Sequence, residues 1–229
     1  MKVAVMQPYL FPYIGYFQLI NAADVFIVYD DVDYINRGYI NRNRILSPSG
    51  VIRFTVPVPG ASQNKKISDL EFSPDVKKVV RAIEHSYAKA PFFEYVLPIV
   101  KNILENKERS IAALCIKSFE DIYNYLDIPQ RIIKASELEY DRSADAKDRL
   151  IALTRKFEGD IYINAPGGRE LYSKSYFKER NVELKFLRPL PVEYDQRKGE
   201  FVPNLSIIDV LMHCPPREVV RLLNQYELD

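Results

Sequence analysis

Apolar residues along this chain change their spacing several times, and each change marks a change of element. Val3-Ala4-Val5-Met6 and Val25-Phe26-Ile27-Val28-Tyr29 are short unbroken apolar runs, as expected of parallel strands covered by helices on both faces. Between them lies a loop with two prolines and several aromatics, and Gly15 opens a helix. Residues 3–29 therefore read as strand, loop, helix, strand. Arg44-Ile45-Leu46 and Val51 to Val58 flank Ser47-Pro48-Ser49-Gly50, which predicts a β-hairpin, and Lys65 to Phe72 predicts a further short strand. From Pro74 the period becomes helical, with Val76, Val79, Val80, Ile83 and Tyr87 on one stripe, Ser73 as the cap and Pro74 at the helix start. Two more helices follow, Phe92 to Leu104 and Ser110 to Leu126. Alternation then resumes: strand 131–136, helix 144–157, strand 160–163, a Gly-Gly loop, a helix near 175–179 and strand 182–187. The tail predicts a helix capped by Asn204 or Ser206 and a last amphipathic helix from Pro216 to Tyr226.

This order specifies an α/β fold: a doubly wound, mostly parallel Rossmann-like sheet with a helical insert and a β-hairpin excursion. Residues 1–73 form the first half of the α/β domain with its hairpin. Residues 74–128 form the inserted helical subdomain, and 129–229 the second half with the C-terminal helices. At 229 residues the chain has ample length for a core.

Composition narrows the function classes. A formal net charge of +1 leaves no global field to recruit nucleic acid or acidic membrane, so anion binding must be local. Two cysteines, Cys115 and Cys214, provide neither a disulfide framework nor a metal cluster. No secretory signal or bilayer-length run is present, so a cytoplasmic protein without membrane insertion is expected. The 16 tyrosines and 12 phenylalanines, with no tryptophan, are dense near the N-terminus; flat faces with polar tips suit sugars and bases.

Four stretches carry candidate chemistry. The first loop follows a strand end and faces a helix start, where phosphate-bearing ligands sit in such units. Asn36-Arg37-Gly38-Tyr39-Ile40-Asn41-Arg42 is the best local anion site, because guanidinium forks match phosphate geometry and Asn36 and Asn41 add neutral donors. Its bland alternative is a solvated loop whose arginines pair with Asp30, Asp31 and Asp33. Pro166-Gly167-Gly168-Arg169 permits close backbone approach and adds a charge. Glu200, Asn204, Ser206 and Asp209 form the last cluster, with Glu200 the candidate base, Ser206 a cap and Asp209 a core acid needing partners. His85, His213 and Cys115 read as structural.

Two resemblances follow. Tyr13-Ile14-Gly15-Tyr16, set between strand and helix, resembles the His-x-Gly-His signature of HIGH-type nucleotidyltransferases, with tyrosines at both histidine positions. Tyrosine donates a hydrogen bond but stays neutral. More broadly, the chain resembles the WbqC-like protein family through Met6-Gln7-Pro8-Tyr9-Leu10-Phe11-Pro12-Tyr13-Ile14-Gly15-Tyr16-Phe17, Pro166-Gly167-Gly168-Arg169 and the string from Gly199 to Asp209. The family reads Asn-Cys-Gly where this chain has His213-Cys214-Pro215.

That resemblance implies a bacterial cytoplasmic protein of O-antigen or other surface-polysaccharide biosynthesis. The implied reaction transfers an amino acid such as glycine, or another acyl group, to a nucleotide-linked amino sugar. On this reading Arg37, Arg42 and Arg169 neutralise phosphates, while Tyr13 and Tyr16 contact base or sugar. Gln7, Tyr9, Gly15, Pro166, Gly167, Gly168, Asn204 and Ser206 complete the ligand site, and Glu200 and Asp31 are the candidate catalytic acids. If ATP activates the acyl group, the first loop holds it and Mg²⁺ bridges to Asp31 or Asp33; a carrier or charged tRNA donor needs no ATP site. The alternatives are a non-catalytic nucleotide-sugar-binding or glycan-assembly partner, and a nucleotidylyltransferase. The inserted helices offer an apolar face through which a homodimer could form.

Overall fold

A computed structural model describes residues 1–197 and 199–229. In chain order the elements are β1 (Lys2–Met6), α1 (Ile14–Ala22), β2 (Val25–Val28), β3 (Arg42–Ser47), β4 (Gly50–Thr55), α2 (Lys77–Tyr87), α3 (Phe93–Leu104) and α4 (Ile111–Tyr125). Then come β5 (Ile132–Lys134), α5 (Ala146–Arg155), β6 (Ile161–Asn164), α6 (Lys174–Lys178), β7 (Glu183–Pro189), α7 (Ile207–His213), α8 (Pro216–Leu223) and β8 (Tyr226–Leu228). Six strands make one sheet in the order β5-β2-β1-β6-β7-β8, while β3 and β4 form a separate antiparallel hairpin. All pairings in the large sheet are parallel except that of β8 with β7.

The unbroken apolar runs are explained by burial on both faces. Val3, Val5, Val25 and Ile27 join one apolar cluster with residues of α5 and α6. Ala4, Phe26 and Val28 join the other, which also holds α1, α7, α8 and the helices α2 to α4. α1 is buried nearly all round, so its buried amide, Gln18, needs partners, and it donates to the carbonyls of Leu222 and Gln225 at the end of α8.

Several boundaries differ from the sequence pattern for local reasons. Helix α2 begins at Lys77 without a side-chain cap; Ser73 instead accepts from the Asp75 amide, forming a turn ahead of the helix. The segment expected as a strand over 65–72 contains a 3-10 turn, Ile67–Asp69, and its strand-like pairing is limited to single bridges at Lys66 and Glu71. The last helix stops at Leu223, and the chain turns back as β8 along Leu187 to Pro189. Ser206 does cap α7, accepting from the Ile208 amide.

The winding positions the functional edge. From β1 the chain moves to β2 and β5 on one side, and β6 to β8 occupy the other. The crevice at the carboxyl ends of β1 and β6 is thus the topological switch point, where doubly wound sheets place ligands.

Candidate functional site

Three remote segments are knitted together above β1. The Leu10 amide donates to the Ile40 carbonyl, the Ser206 amide to that of Arg44, and the Ile207 amide to that of Pro12. Two side chains lock the same corner: Asn43 Nδ2 donates to the Phe11 carbonyl at 2.7 Å and Ser206 Oγ donates to it at 2.8 Å. Phe11, Arg37 and Asn204 all hold left-handed backbone, with φ of 48°, 61° and 57°. Such conformations cost about 1–3 kcal/mol each outside glycine and persist only where surroundings over-determine them.

The knit encloses a cavity of about 680 Å³ lined by Tyr9, Tyr13, Arg37, Tyr39, Arg42, Asn43, Arg44, Arg53 and Asn204. Four of these are arginines and none is acidic. Among the described residues none of the four arginines forms an ion pair. The acids that could have neutralised them are committed elsewhere. Asp30 accepts from the Ser136 amide and hydroxyl, Asp31 from the Tyr140 hydroxyl and Arg142 guanidinium, and Asp33 from Lys66. The half-buried Arg42 keeps its Nε without a partner. Arg44 also stands directly opposite Arg53 in the hairpin register, a like-charge pair that is unfavourable by itself. Concentrated, uncompensated guanidinium charge is the electrostatic complement of a multiply charged anion.

Tyrosines form the remaining wall. The Tyr9 and Tyr39 rings lie 5.9 Å apart, and Tyr9 meets Tyr16 edge-on at 6.0 Å. Burial pushes the Tyr9 hydroxyl well above its ordinary range, with Tyr39 and Tyr13 adding to the effect and Arg44 opposing it. Burial also raises Tyr13. Both therefore act as neutral donors. Gly15 has a specific purpose here: a Cβ would stand 2.4 Å from the Tyr13 ring, so the glycine lets that ring fold back over the start of α1.

Of the residues expected from sequence, the cavity gathers Tyr9, Tyr13, Arg37, Arg42 and Asn204. Gln7, Gly167 and Gly168 line a different space, the 350 Å³ crevice at the switch point. Tyr16 is buried and donates to the Gln7 carbonyl, and Gly15 lines a neighbouring cleft against the 189–194 segment. Asn41 is buried and donates to the Val56 carbonyl, while Ser206 is fully buried in the knit. These residues shape the walls without facing the arginine cavity. Asn36 is exposed beside it. Pro166 begins a 3-10 turn. Arg169 pairs with Asp229 and lies over the Phe186 ring at 4.9 Å, away from the other arginines. Glu200 is exposed and lines none of these spaces. Asp31 faces Tyr140 and Arg142, while Asp33 faces Lys66.

Sequence reading missed Arg44 and Arg53, yet a signal was present. A turn at Ser47–Gly50 fixes the register of the hairpin and so sets Arg44 opposite Arg53. It also missed that His85 and His213 line one 650 Å³ cavity with Tyr87, Lys89 and Arg197. There His213 Nδ1 lies 2.8 Å from the Asp209 carbonyl, and the buried Asp209 carboxylate accepts from Tyr87, Tyr194 and Gln196. The four-residue spacing of Asp209 and His213 on one helix was the available clue.

The family model described as the WbqC-like protein family matches residues 7–221. The chain is 30% identical over 220 residues to a protein titled "Uncharacterized protein Rv1507c" from Mycobacterium tuberculosis (strain ATCC 25618 / H37Rv), covering 93% of each chain. No solved structure matches it significantly.

Proposed function

The chain belongs to the WbqC-like protein family, and from that premise we propose that it binds a nucleotide-linked amino sugar and transfers an amino acid such as glycine, or another acyl group, to the sugar nitrogen. The proposal places this work in the cytoplasm, in the assembly of bacterial surface polysaccharide such as O-antigen. The observation that carries it is the arginine cavity: Arg37, Arg42, Arg44 and Arg53 converge without a carboxylate among the lining residues. A sugar nucleotide presents a pyrophosphate to such a cluster, and guanidinium groups bind it through charge-assisted bonds. The faces of Tyr9, Tyr13 and Tyr39 suit its sugar or base. About 680 Å³ lies within the range of small-molecule sites. No helix among the described residues is long and apolar enough to cross a membrane.

One observation favours a second reading, a non-catalytic binder of nucleotide sugars. The cavity lining includes no carboxylate and no histidine, so no ordinary general base stands at the anion site. Incubation with nucleotide-linked amino sugars, glycine and ATP, read by mass spectrometry, separates the two. An N-acylated sugar nucleotide is the expected product. Tight binding of the sugar nucleotide without turnover across acyl donors would replace the transferase by the binder. Absence of binding would remove both.

A further inference from the structure

The crevice at the β1/β6 switch point is built differently from the arginine cavity, and it has an unmatched charge of its own. Gln7 continues from β1, Tyr29 from β2, and Asn164 with Gly167 and Gly168 from β6; Tyr162 and Tyr172 supply its aromatic walls and Leu171 its exposed lip. Asn164 turns its amide toward the turn, accepting from the Ala165 amide through Oδ1. A Cβ on Gly168 would fall 2.2 Å from its Nδ2, so the glycine is what lets this side chain lie along the crevice floor. The Gln7 carboxamide, with one donor group and one acceptor, has no hydrogen-bond partner among the described residues.

Arg149, on α5, does not itself line the crevice but stands behind one of its walls, Tyr29. Its guanidinium lies 5.7 Å from the Tyr29 ring centre, and its charge opposes the upward push of burial on the hydroxyls of both Tyr29 and Tyr172. Its Nε is buried without a partner, and among the described residues it forms no ion pair. A half-buried cation without a counter-charge is costly unless an anion completes it.

We infer that this crevice is a second ligand site, for a nucleoside phosphate whose ring lies between the tyrosines and whose phosphate is met by Arg149. Ring-sized apolar walls, one free carboxamide able to read a base edge, and one unpaired guanidinium are the three parts such a ligand requires. The position agrees, since ligands of open α/β sheets bind outside the strand ends at the switch point. The volume of about 350 Å³ lies at the small end of small-molecule sites and suits one nucleoside. This site stands whether or not the arginine cavity binds a sugar nucleotide.

The test is calorimetric titration of the full chain with AMP, GMP, CMP and UMP, and with adenosine and inorganic phosphate as half-ligands. At least one monophosphate is expected to bind at least tenfold more tightly than either half. Arg149→Met should weaken that ligand tenfold or more with an unchanged thermal melt. Leu171→Trp, at an exposed lip where folding is not at stake, should weaken it comparably by closing the mouth. Arg44→Ala should leave it within twofold. The inference is overturned if no monophosphate binds, or if phosphate alone binds as well as the nucleotide. It is equally overturned if affinity survives both Arg149→Met and Leu171→Trp, or if Arg44→Ala removes it.

Discussion

Two cavities open along one edge of the sheet, and on the proposals made above they would meet an anion by opposite means. The arginine cavity is made by loops and a hairpin that are distant in sequence, held by backbone bonds and by Asn43 and Ser206 on one carbonyl. It spends strained backbone at Arg37 and Asn204 and a like-charge pair at Arg44 and Arg53 to concentrate charge. The switch-point crevice is made by strand ends and aromatic walls, with a single unpaired arginine behind it. Charge density suits a pyrophosphate whose remainder varies; shape with one charge suits a defined ring bearing one phosphate. If both proposals hold, this fold would place a permissive anion site and a shape-selective one within the same crevice region, one resting on loops and the other on the scaffold.

The largest test of this contrast removes charge from one side only. Arg44→Ala with Arg53→Ala should weaken a nucleotide sugar by on the order of 10³-fold, taking about 1.5–3 kcal/mol for each charge-assisted contact. Folding should be unchanged or slightly improved, because an unfavourable cross-strand pair of roughly 0.2–1 kcal/mol disappears. Calorimetry and thermal melts read both. Retained affinity in the double variant would mean that the arginines are solvated surface and that the contrast is false.

A paired test exchanges the roles of loop and scaffold. Asn43→Ala removes a donor to the Phe11 carbonyl and an acceptor for the Arg44 amide. It should cost about 1–3 kcal/mol of stability and loosen the arginine cavity selectively. Gly168→Ala drives a Cβ into Asn164 and should cost a similar amount, roughly 1–3 kcal/mol, while affecting only the switch-point crevice. Denaturant melts with titration of each ligand would show a crossed pattern. If either substitution damages both sites equally, the two cavities are one coupled unit.

The contrast also explains what the chain disclosed in advance. Apolar runs at Val3 to Met6 and Val25 to Val28 give the parallel sheet directly, since strand burial is written in contiguous residues. Arg37 and Arg42 were legible because they share one loop with Asn36 and Asn41. Arg169 looked equivalent by composition, yet Asp229, 60 residues further on, pairs with it. Arg149 drew no reading from the sequence, and only the packing of α5 against Tyr29 shows that its Nε is buried without a partner. β8 escaped because Tyr226 to Leu228 becomes a strand only where β7 offers it an edge. Local signals gave the elements and part of one cavity; the rest depends on the hairpin register that sets Arg44 opposite Arg53 and on which distant carboxylates are already occupied.

The smallest expected effect concerns pH, and it sharpens the comparison through the tyrosines. Arginine does not titrate in the working range, so tyrosine ionisation is the titration in the arginine cavity that alkaline pH could bring. A tyrosinate beside a pyrophosphate would repel it, and an ordinary tyrosine ionises near pH 10. Burial raises Tyr9 and Tyr13 above that value, so the neutral donors persist and the loss of binding moves to higher pH. In a Tyr39→Phe background, which removes the exposed third tyrosine of the lining, nucleotide-sugar affinity should accordingly stay flat, within about twofold, from pH 7 to pH 10. A fall centred near or below pH 10 would show these hydroxyls to be solvated. Tyr13→Phe resolves the outcome further: where Tyr13 is a buried neutral donor it weakens binding by the same factor at pH 7 and pH 10, because the group removed is in the same protonation state at both.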